Sequence, residues 1–255
     1  MSTPRPLDPR DLQAELAALR ETQARLSVDL AANANRYRTL ARSVLRLQEE
    51  ERRRFARDLH DGLGQQITAI LHQLEPLAQD ESLPASVTAR SRRALDLCTR
   101  ALHDARTLAR LMRPTILDDL GLVAALHWLA RTVAESAGFA IDVECEDEAG
   151  ACGSELSTLV FRFVQEALNN VAKHAAAQRA LVVVTIHRGQ LSIVVADDGR
   201  GFDTSVVPVP GTGSGLVGLG ERVALFGGRF TCTSNPGDGT QLRAVIPIVA
   251  EGREA

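Results

Sequence analysis

Residues 51–66 read ERRRFARDLHDGLGQQ, and the periodicity on either side of them decides the fold. Upstream, an apolar seam steps by four and three residues through Leu12, Leu16, Leu19, Gln23, Leu26, Leu30, Asn33, Tyr37, Leu40, Val44 and Leu47. A heptad held for about five repeats predicts a coiled coil. Gln23 and Asn33, polar residues in the seam, would fix register and strand number at some cost in stability. The outward positions are strongly charged and no short loop follows to fold the helix back, so the expected partner is a second copy in a homodimer.

Downstream, the seam changes phase near Glu51, passes through Phe55 and Leu59, and resumes at Leu63, Ile67, Ile70, Leu74 and Leu77. Pro76 and the run AQDESLPAS supply breakers and a turn. A second heptad helix follows, with Val87, Ser91, Ala94, Cys98, Ala101, Ala105, Leu108 and Met112 on one face, and Arg113-Pro114 ends it. The pair predicts an antiparallel hairpin, and two copies would close a four-helix bundle.

Beyond Pro114 the pattern is mixed. Leu122 to Ala134 reads as a helix, Phe139 to Cys145 as a strand, and Leu156 to Ala175 as a long helix with Val160, Phe163, Ala167 and Val171 on its apolar face. Strands at Leu181 to His187 and Leu191 to Ala196 flank Arg188-Gly189-Gln190, a hairpin signal. A glycine-rich stretch, a helix from Leu216 to Phe226 and strands at Arg229 to Ser234 and Thr240 to Ile248 follow. Without regular strand–helix–strand alternation, this predicts an α+β layer with helices on one face of a mixed sheet.

Composition narrows the function. The chain of 255 residues is 45% hydrophobic and 24% charged, enough to bury a sizeable core and to exclude disorder throughout. A net charge of −3 gives no drive toward direct nucleic acid binding. No apolar run approaches the roughly 20 residues of a membrane helix, so no transmembrane span is expected. MSTPRPLDPR lacks the apolar core of a secretory signal, and a cytoplasmic location is the expectation. Cys98, Cys145, Cys152 and Cys232 lack C-x-x-C spacing, which argues against a zinc or iron–sulfur site and against a disulfide framework. Lys173 is the only lysine among 29 basic residues, so lysine chemistry has a single seat.

Five constellations carry chemistry. His60 lies beside the seam, next to Asp61, with Gln65 one turn on; a neutral imidazole beside a carboxylate is a usable nucleophile near neutral pH. Glu166, Asn170, Lys173 and His174 share one side of the long helix. An acid, an amide oxygen, an ammonium and an imidazole suit Mg2+ bound to polyphosphate. In VVADDGRGF, residues 194–202, Asp197 precedes a turn in which Gly199 and Gly201 let backbone approach a ligand. GTGSGLVGLGERV, residues 211–223, runs a glycine loop into a helix N-terminus, where free N–H groups attract phosphate. It is neither a P-loop nor the opening of a Rossmann unit. GDGTQLRAVIP, residues 237–247, leads Thr240 into the last strand.

The order His60-Asp61, Asn170, Asp197-x-Gly199-x-Gly201, Gly213-x-Gly215, Gly239-Thr240 resembles a two-component sensor histidine kinase from about residue 40 onward. ARDLHDGLGQQ, LMRPTILDDLGLVAAL, QEALNNVAKHA and GLVGLGERV resemble the nitrate-sensor and degradative-enzyme-sensor subfamily. The expected organisation opens with a disordered N-terminus (1–10) and the coiled coil of the heptads (11–50) and ends in a tail (251–255); between them the resemblance implies a dimerisation and histidine phosphotransfer domain (51–113) and a GHKL-type ATP-binding α/β sandwich (114–250). It implies that His60 accepts phosphate from ATP, Asp61 acts as base, and Gln65 orients water for dephosphorylation of the partner. Asn170, with Glu166, would hold magnesium; Lys173 and His174 would meet phosphate. Asp197 would accept the adenine amino group, with Thr240 lining the same pocket, and Gly213, Gly215, Leu216 and Gly218 would belong to the lid over the triphosphate. Asp198 stands where the family more often has asparagine. The implied partner is a response regulator, by family analogy a DNA-binding transcription factor. Two other functions fit parts of the pattern: a nucleotide-regulated phosphatase or dimeric scaffold keeping Asp61 and Gln65, and a protein-serine kinase of the anti-sigma type. The hairpin bearing His60 argues against the latter.

Overall fold

The computed structural model describes residues 9–112, 115–146, 149, 152–204 and 215–248. By its internal contacts the chain divides between Gln48 and Glu49.

In the first unit the chain is helical from Pro9, within α1 (Pro9–Asp58). Leu19, Leu26, Leu30, Tyr37, Leu40, Val44 and Leu47, the seam residues, are all exposed. An apolar stripe of this length left in water is the pattern of a helix whose partner is another chain.

In the second unit α1 runs on as regular helix through Glu51 to Asp58, so the backbone break behind the change of phase is not at Glu51. It lies at a π-helical turn, Leu59–Gly64, that leads into α2 (Gln65–Gln79). An i→i+5 turn accommodates one extra residue and rotates everything after it by about 100°. Pro76, expected to act as a breaker, is inside α2, which ends only at Gln79. Asp80 makes the turn instead, its Oδ1 accepting the Ser82 N–H and hydroxyl at 2.9 and 2.6 Å. α3 (Ala85–Met112) packs back along α2 as the expected hairpin, with Ala78, Ser91, Leu102 and Ala109 buried. Arg113 and Pro114, expected to end it, lie outside the described residues.

The remaining chain builds a five-stranded sheet with strand order β1-β2-β3-β5-β4. The strands are β1 (Ala140–Cys145), β2 (Arg179–His187), β3 (Gln190–Asp197), β4 (Arg229–Ser234) and β5 (Thr240–Pro247). β1 pairs with β2 in parallel and the other pairs are antiparallel, which makes the sheet mixed. The hairpin between β2 and β3 pairs His187 with Gln190, so its loop is Arg188-Gly189 alone, both at positive φ (50 and 72) as a type I′ turn requires.

Val182, Val184, Leu191, Ile193, Leu242, Ala244 and Ile246 alternate onto one buried face. That face is covered by α4 (Thr115–Ala137), α5 (Ser154–Asn170) and α6 (Gly215–Leu225). Burying a side chain of Val, Leu, Ile or Phe size contributes about 1.5–3 kcal/mol, and Leu126, Leu129, Val160, Phe161, Phe163, Val164 and Leu168 from the helices all join this core. α4 begins earlier than its periodicity suggests and is broken by non-helical Gly121 (φ 80, ψ 177), just before the buried Leu122. α5 is shorter than expected: regular helix stops at Asn170, and a second π turn, Val171–Ala175, closes on left-handed Ala176.

Candidate active site

The change from α to π geometry at the end of α5 shapes a cavity. Val171 and Ala175 turn toward the core while Lys173 and His174 remain exposed at the rim. The cavity, of about 530 Å³, is lined by Glu166, Asn170, Lys173 and His174 from this helix, Asp197 from the end of β3, and Thr240 from the start of β5. Gly201, Gly215 and Leu216, also expected here, line it as well, and its size lies in the range of small-molecule sites.

At one end stands Asp197, whose Oδ1 accepts the Gly199 N–H at 2.9 Å. Burial pushes its carboxyl above the ordinary range; the Gly199 and Thr240 N–H groups oppose the rise and the neighbouring Asp198 charge adds to it. An ionised Asp197 is therefore disfavoured in the fold, and stability falls as pH rises from the ordinary range through the raised value. A ligand that donates a hydrogen bond to the carboxylate offsets that loss. Asp198 differs: its Oδ1 accepts the Gln178 and Arg179 N–H groups at 2.8 and 2.9 Å, with the Arg179 bond first in holding its pKa low. An asparagine oxygen could accept the same two bonds, so the departure from the family pattern keeps these loop contacts and adds only the charge that helps to raise the Asp197 pKa.

Two glycines stitch this end together. Gly201 (φ 57) and Gly239 (φ 74) adopt left-handed backbone, and a Cβ on either would collide with main chain: Asn235 O in the first case, Asp197 O in the second. Ser234, buried at the end of β4, ties the same loops. It accepts the Phe202 N–H at 2.9 Å, donates to Gly239 O at 2.8 Å, and lies 3.0 Å from the Thr240 hydroxyl.

At the other end, Asn170 Nδ2 is buried and has no hydrogen-bond partner. An orphaned polar atom of this kind costs about 1–3 kcal/mol, so it points to a ligand that satisfies it. A half-turn of the amide exchanges its nitrogen for its oxygen, and that oxygen beside the Glu166 carboxylate is a donor set for a hard divalent cation. The N-terminus of α6 presses close: a Cβ on Gly215 would collide with Glu166 Oε1 and stand 3.4 Å from Asn170 Nδ2.

Not every expected residue joins the cavity. Gly199 does not line it; a Cβ there would lie 2.5 Å from Ala175 O, so this glycine seats the loop on the second π turn rather than approaching a ligand. Gly218 lies in α6 away from the lining, and Gly213 lies outside the described residues. His60 and Asp61 fall in the first π turn and Gln65 directly after it; Asp61 and Gln65 are exposed, and the His60 side chain is outside the described residues. Arg200 and Phe202 line the cavity without having been singled out, although both stand in VVADDGRGF. Ser234 had no motif to mark it.

Such a cavity, with a half-buried carboxylate at one end and an amide, an acid and two bases at the other, defines a nucleotide-binding domain attached to a helical hairpin. Residues 51–117 match the family model described as histidine kinase, and residues 155–250 match that of the histidine kinase-, DNA gyrase B- and HSP90-like ATPases. The sensor histidine kinase MctS of Rhizobium johnstonii is 33% identical over 84% of this chain and 46% of its own length. The signal transduction histidine-protein kinase/phosphatase DegS of Brevibacillus brevis is 31% identical over 82% of this chain and 54% of its own. The oxygen sensor histidine kinase NreB of Staphylococcus carnosus is 31% identical over 83% and 60%. The chain thus spans about half the length of these relatives. A blue-light activated histidine kinase of Erythrobacter litoralis aligns with a TM-score of 0.45 and 20% identity over 73% of this chain and 60% of its own. The chain belongs to the sensor histidine kinases of the type represented by DegS and NreB, with an ATPase domain of the GHKL kind. No helix among the described residues is long and apolar enough to cross a membrane.

Proposed function

We propose that the chain, as a cytoplasmic homodimer, binds ATP with magnesium in this cavity, phosphorylates His60 and passes the phosphoryl group to an aspartate of a response regulator, itself a DNA-binding transcription factor. The observation that carries this reading is the buried, unpartnered Asn170 Nδ2 in a cavity that also holds the partly desolvated Asp197 carboxylate. Asp197 accepts the adenine amino group beside Thr240, and Lys173 and His174 meet phosphate oxygens. Magnesium, when bound, neutralises charge on the phosphates and would be held by Asn170 and Glu166. The His60 imidazole attacks the γ-phosphorus in line: an N–P bond forms, the bond to the ADP oxygen breaks, and Asp61 takes the ring proton. Gly215, Leu216 and Gly218 belong to the segment that covers the triphosphate. The domain bounds follow the same reading, with the coiled coil over 11–50, the phosphotransfer hairpin over 51–113 and the ATP-binding domain over 114–250.

The protein incubated with γ-labelled ATP is expected to take up an acid-labile, alkali-stable label that chases onto a receiver domain; an acid-stable label overturns the reading. Exposed Gln65, one turn beyond Asp61, also supports hydrolysis of the phosphorylated regulator. Gln65→Ala should slow that hydrolysis by about 10²-fold or more, the lower end of what a positioned acid–base group contributes, while the initial rate of autophosphorylation stays unchanged. Equal loss of both activities would remove the separate phosphatase role.

The raised pKa of Asp197 gives a pH test. Nucleotide affinity should weaken on acidification at a pH above the ordinary carboxylate range, as the acceptor is protonated. Asp197→Asn should bind about tenfold or more weakly near neutral pH, the loss of one charged hydrogen bond, and show no such titration. Fluorescent-nucleotide titrations across the acid range check both; a wild-type profile as flat as that of the variant argues against the adenine contact.

A further inference from the structure

The least expected side chain in the core is Arg162, in the middle of α5 and only 5% exposed. Its Nε and one terminal nitrogen fork onto the Glu49 carboxylate at 2.9 and 2.6 Å, across 113 positions of sequence. The other terminal nitrogen donates to Leu111 O at 3.0 Å and Gln165 Oε1 at 2.7 Å, and Met112 O accepts a further bond at 2.7 Å. Gln165 Nε2 adds a bond to Leu111 O at 3.1 Å. The guanidinium therefore joins α1, the last carbonyls of α3 and α5. Leu111 and Met112 are the last two residues of α3, where a helix supplies its carbonyls with no i+4 partners of its own, and α4 begins at Thr115.

A buried ion pair gains little net stability over apolar residues of the same volume, because desolvation offsets the attraction. What a forked, fully bonded guanidinium does supply is one fixed geometry. That geometry has a direction. Arg52, a turn beyond Glu49, interacts electrostatically with Glu166, a turn beyond Arg162, and with Arg222 of α6; burial first, then the Arg162 charge, holds its pKa below the ordinary guanidinium range. From Arg162 and Glu49, α1 and α5 thus advance the same way. Eleven residues on, α1 reaches His60 and α5 reaches Lys173, about 16 Å along each axis at 1.5 Å per residue. Each lies within a π turn.

We propose that Arg162 is a positioning residue for phosphoryl transfer: its clamp on Glu49 and the end of α3 sets the register that brings the phosphate end of the cavity level with His60. The inference rests on the kinase reading above. Arg162 does not line the cavity and acts through the helices it joins. Replacing it risks unfolding a core helix, so the first variant is Glu49→Gln, which keeps the size of the partly exposed partner and removes its charge.

Because misplacement by about 1 Å can cost 10²-fold, kcat for autophosphorylation should fall at least about tenfold. KM for ATP and the Kd of a fluorescent nucleotide should stay within about twofold. Amide hydrogen exchange at the end of α3 should accelerate, a readout independent of activity. An unchanged kcat overturns the proposal, as does an increase, which would make the clamp a restraint on the kinase. A fall in kcat accompanied by equal weakening of nucleotide binding also overturns it, since that marks general damage to the domain. Wild-type protein that forms no phosphohistidine overturns the kinase reading itself; an active wild type with an unaffected variant overturns only this inference.

Discussion

His60→Gln is expected to bring the label taken from γ-labelled ATP down to background, the largest effect on transfer among these variants. The argument is one of basicity. A neutral imidazole offers a ring nitrogen with a free electron pair near neutral pH, whereas the glutamine amide nitrogen has its pair delocalised into the carbonyl and does not attack phosphorus. The substitution approximates the length of the side chain and leaves the cavity residues from Glu166 to Leu242 untouched, so nucleotide binding should persist. That separation makes the test sharp: labelling lost with affinity retained assigns the nucleophile. Undiminished labelling of His60→Gln would exclude it. The backbone around His60 supports the assignment, because π turns inside long helices occur frequently at functional sites.

The sequence revealed the elements more readily than the joints between them. Alternation and heptads are local signals, so the hairpin, the five strands and the helices on one sheet face were legible from side-chain type alone. The phase change downstream of Leu47 was legible too, but not where the backbone would absorb it: α1 stays regular through Glu51, and the extra residue is taken up at Leu59–Gly64. Pro76 misled because a helix already packed along a partner can keep its course through a proline, whose missing N–H costs one bond. The cavity residues were legible as motifs wherever several shared one side of a helix, as Glu166, Asn170, Lys173 and His174 do. Ser234 and the Arg162–Glu49 pair were not, for their partners come from distant chain segments brought together only by the fold. An arginine inside an apolar helix pattern gives no hint of whether it points to water or to a carboxylate 113 positions away.

Asn170→Ala should reduce autophosphorylation by about 10² or more while leaving the melting temperature unchanged or raised. The two halves of this expectation come from one observation. Asn170 Nδ2 is buried without a hydrogen-bond partner, so in the absence of ligand its desolvation is uncompensated. Truncation to alanine removes that cost, and alanine is also the better helix former, by a few tenths of a kcal/mol, at the last regular residue of α5. Against these gains stands a small loss of packing near Gly215 and Glu166. A residue kept only for structure would not be left in this state; a polar group that the fold leaves unsatisfied is one that a ligand completes. Its loss should appear in the magnesium dependence of nucleotide binding, with the variant needing more of the ion or failing to respond to it. Differential scanning calorimetry beside a kinase assay and a magnesium titration checks all three. A variant that melts several degrees lower with activity lost in proportion would mean that Asn170 supports the helix end and not the phosphates, and the cation site would then lack its central ligand.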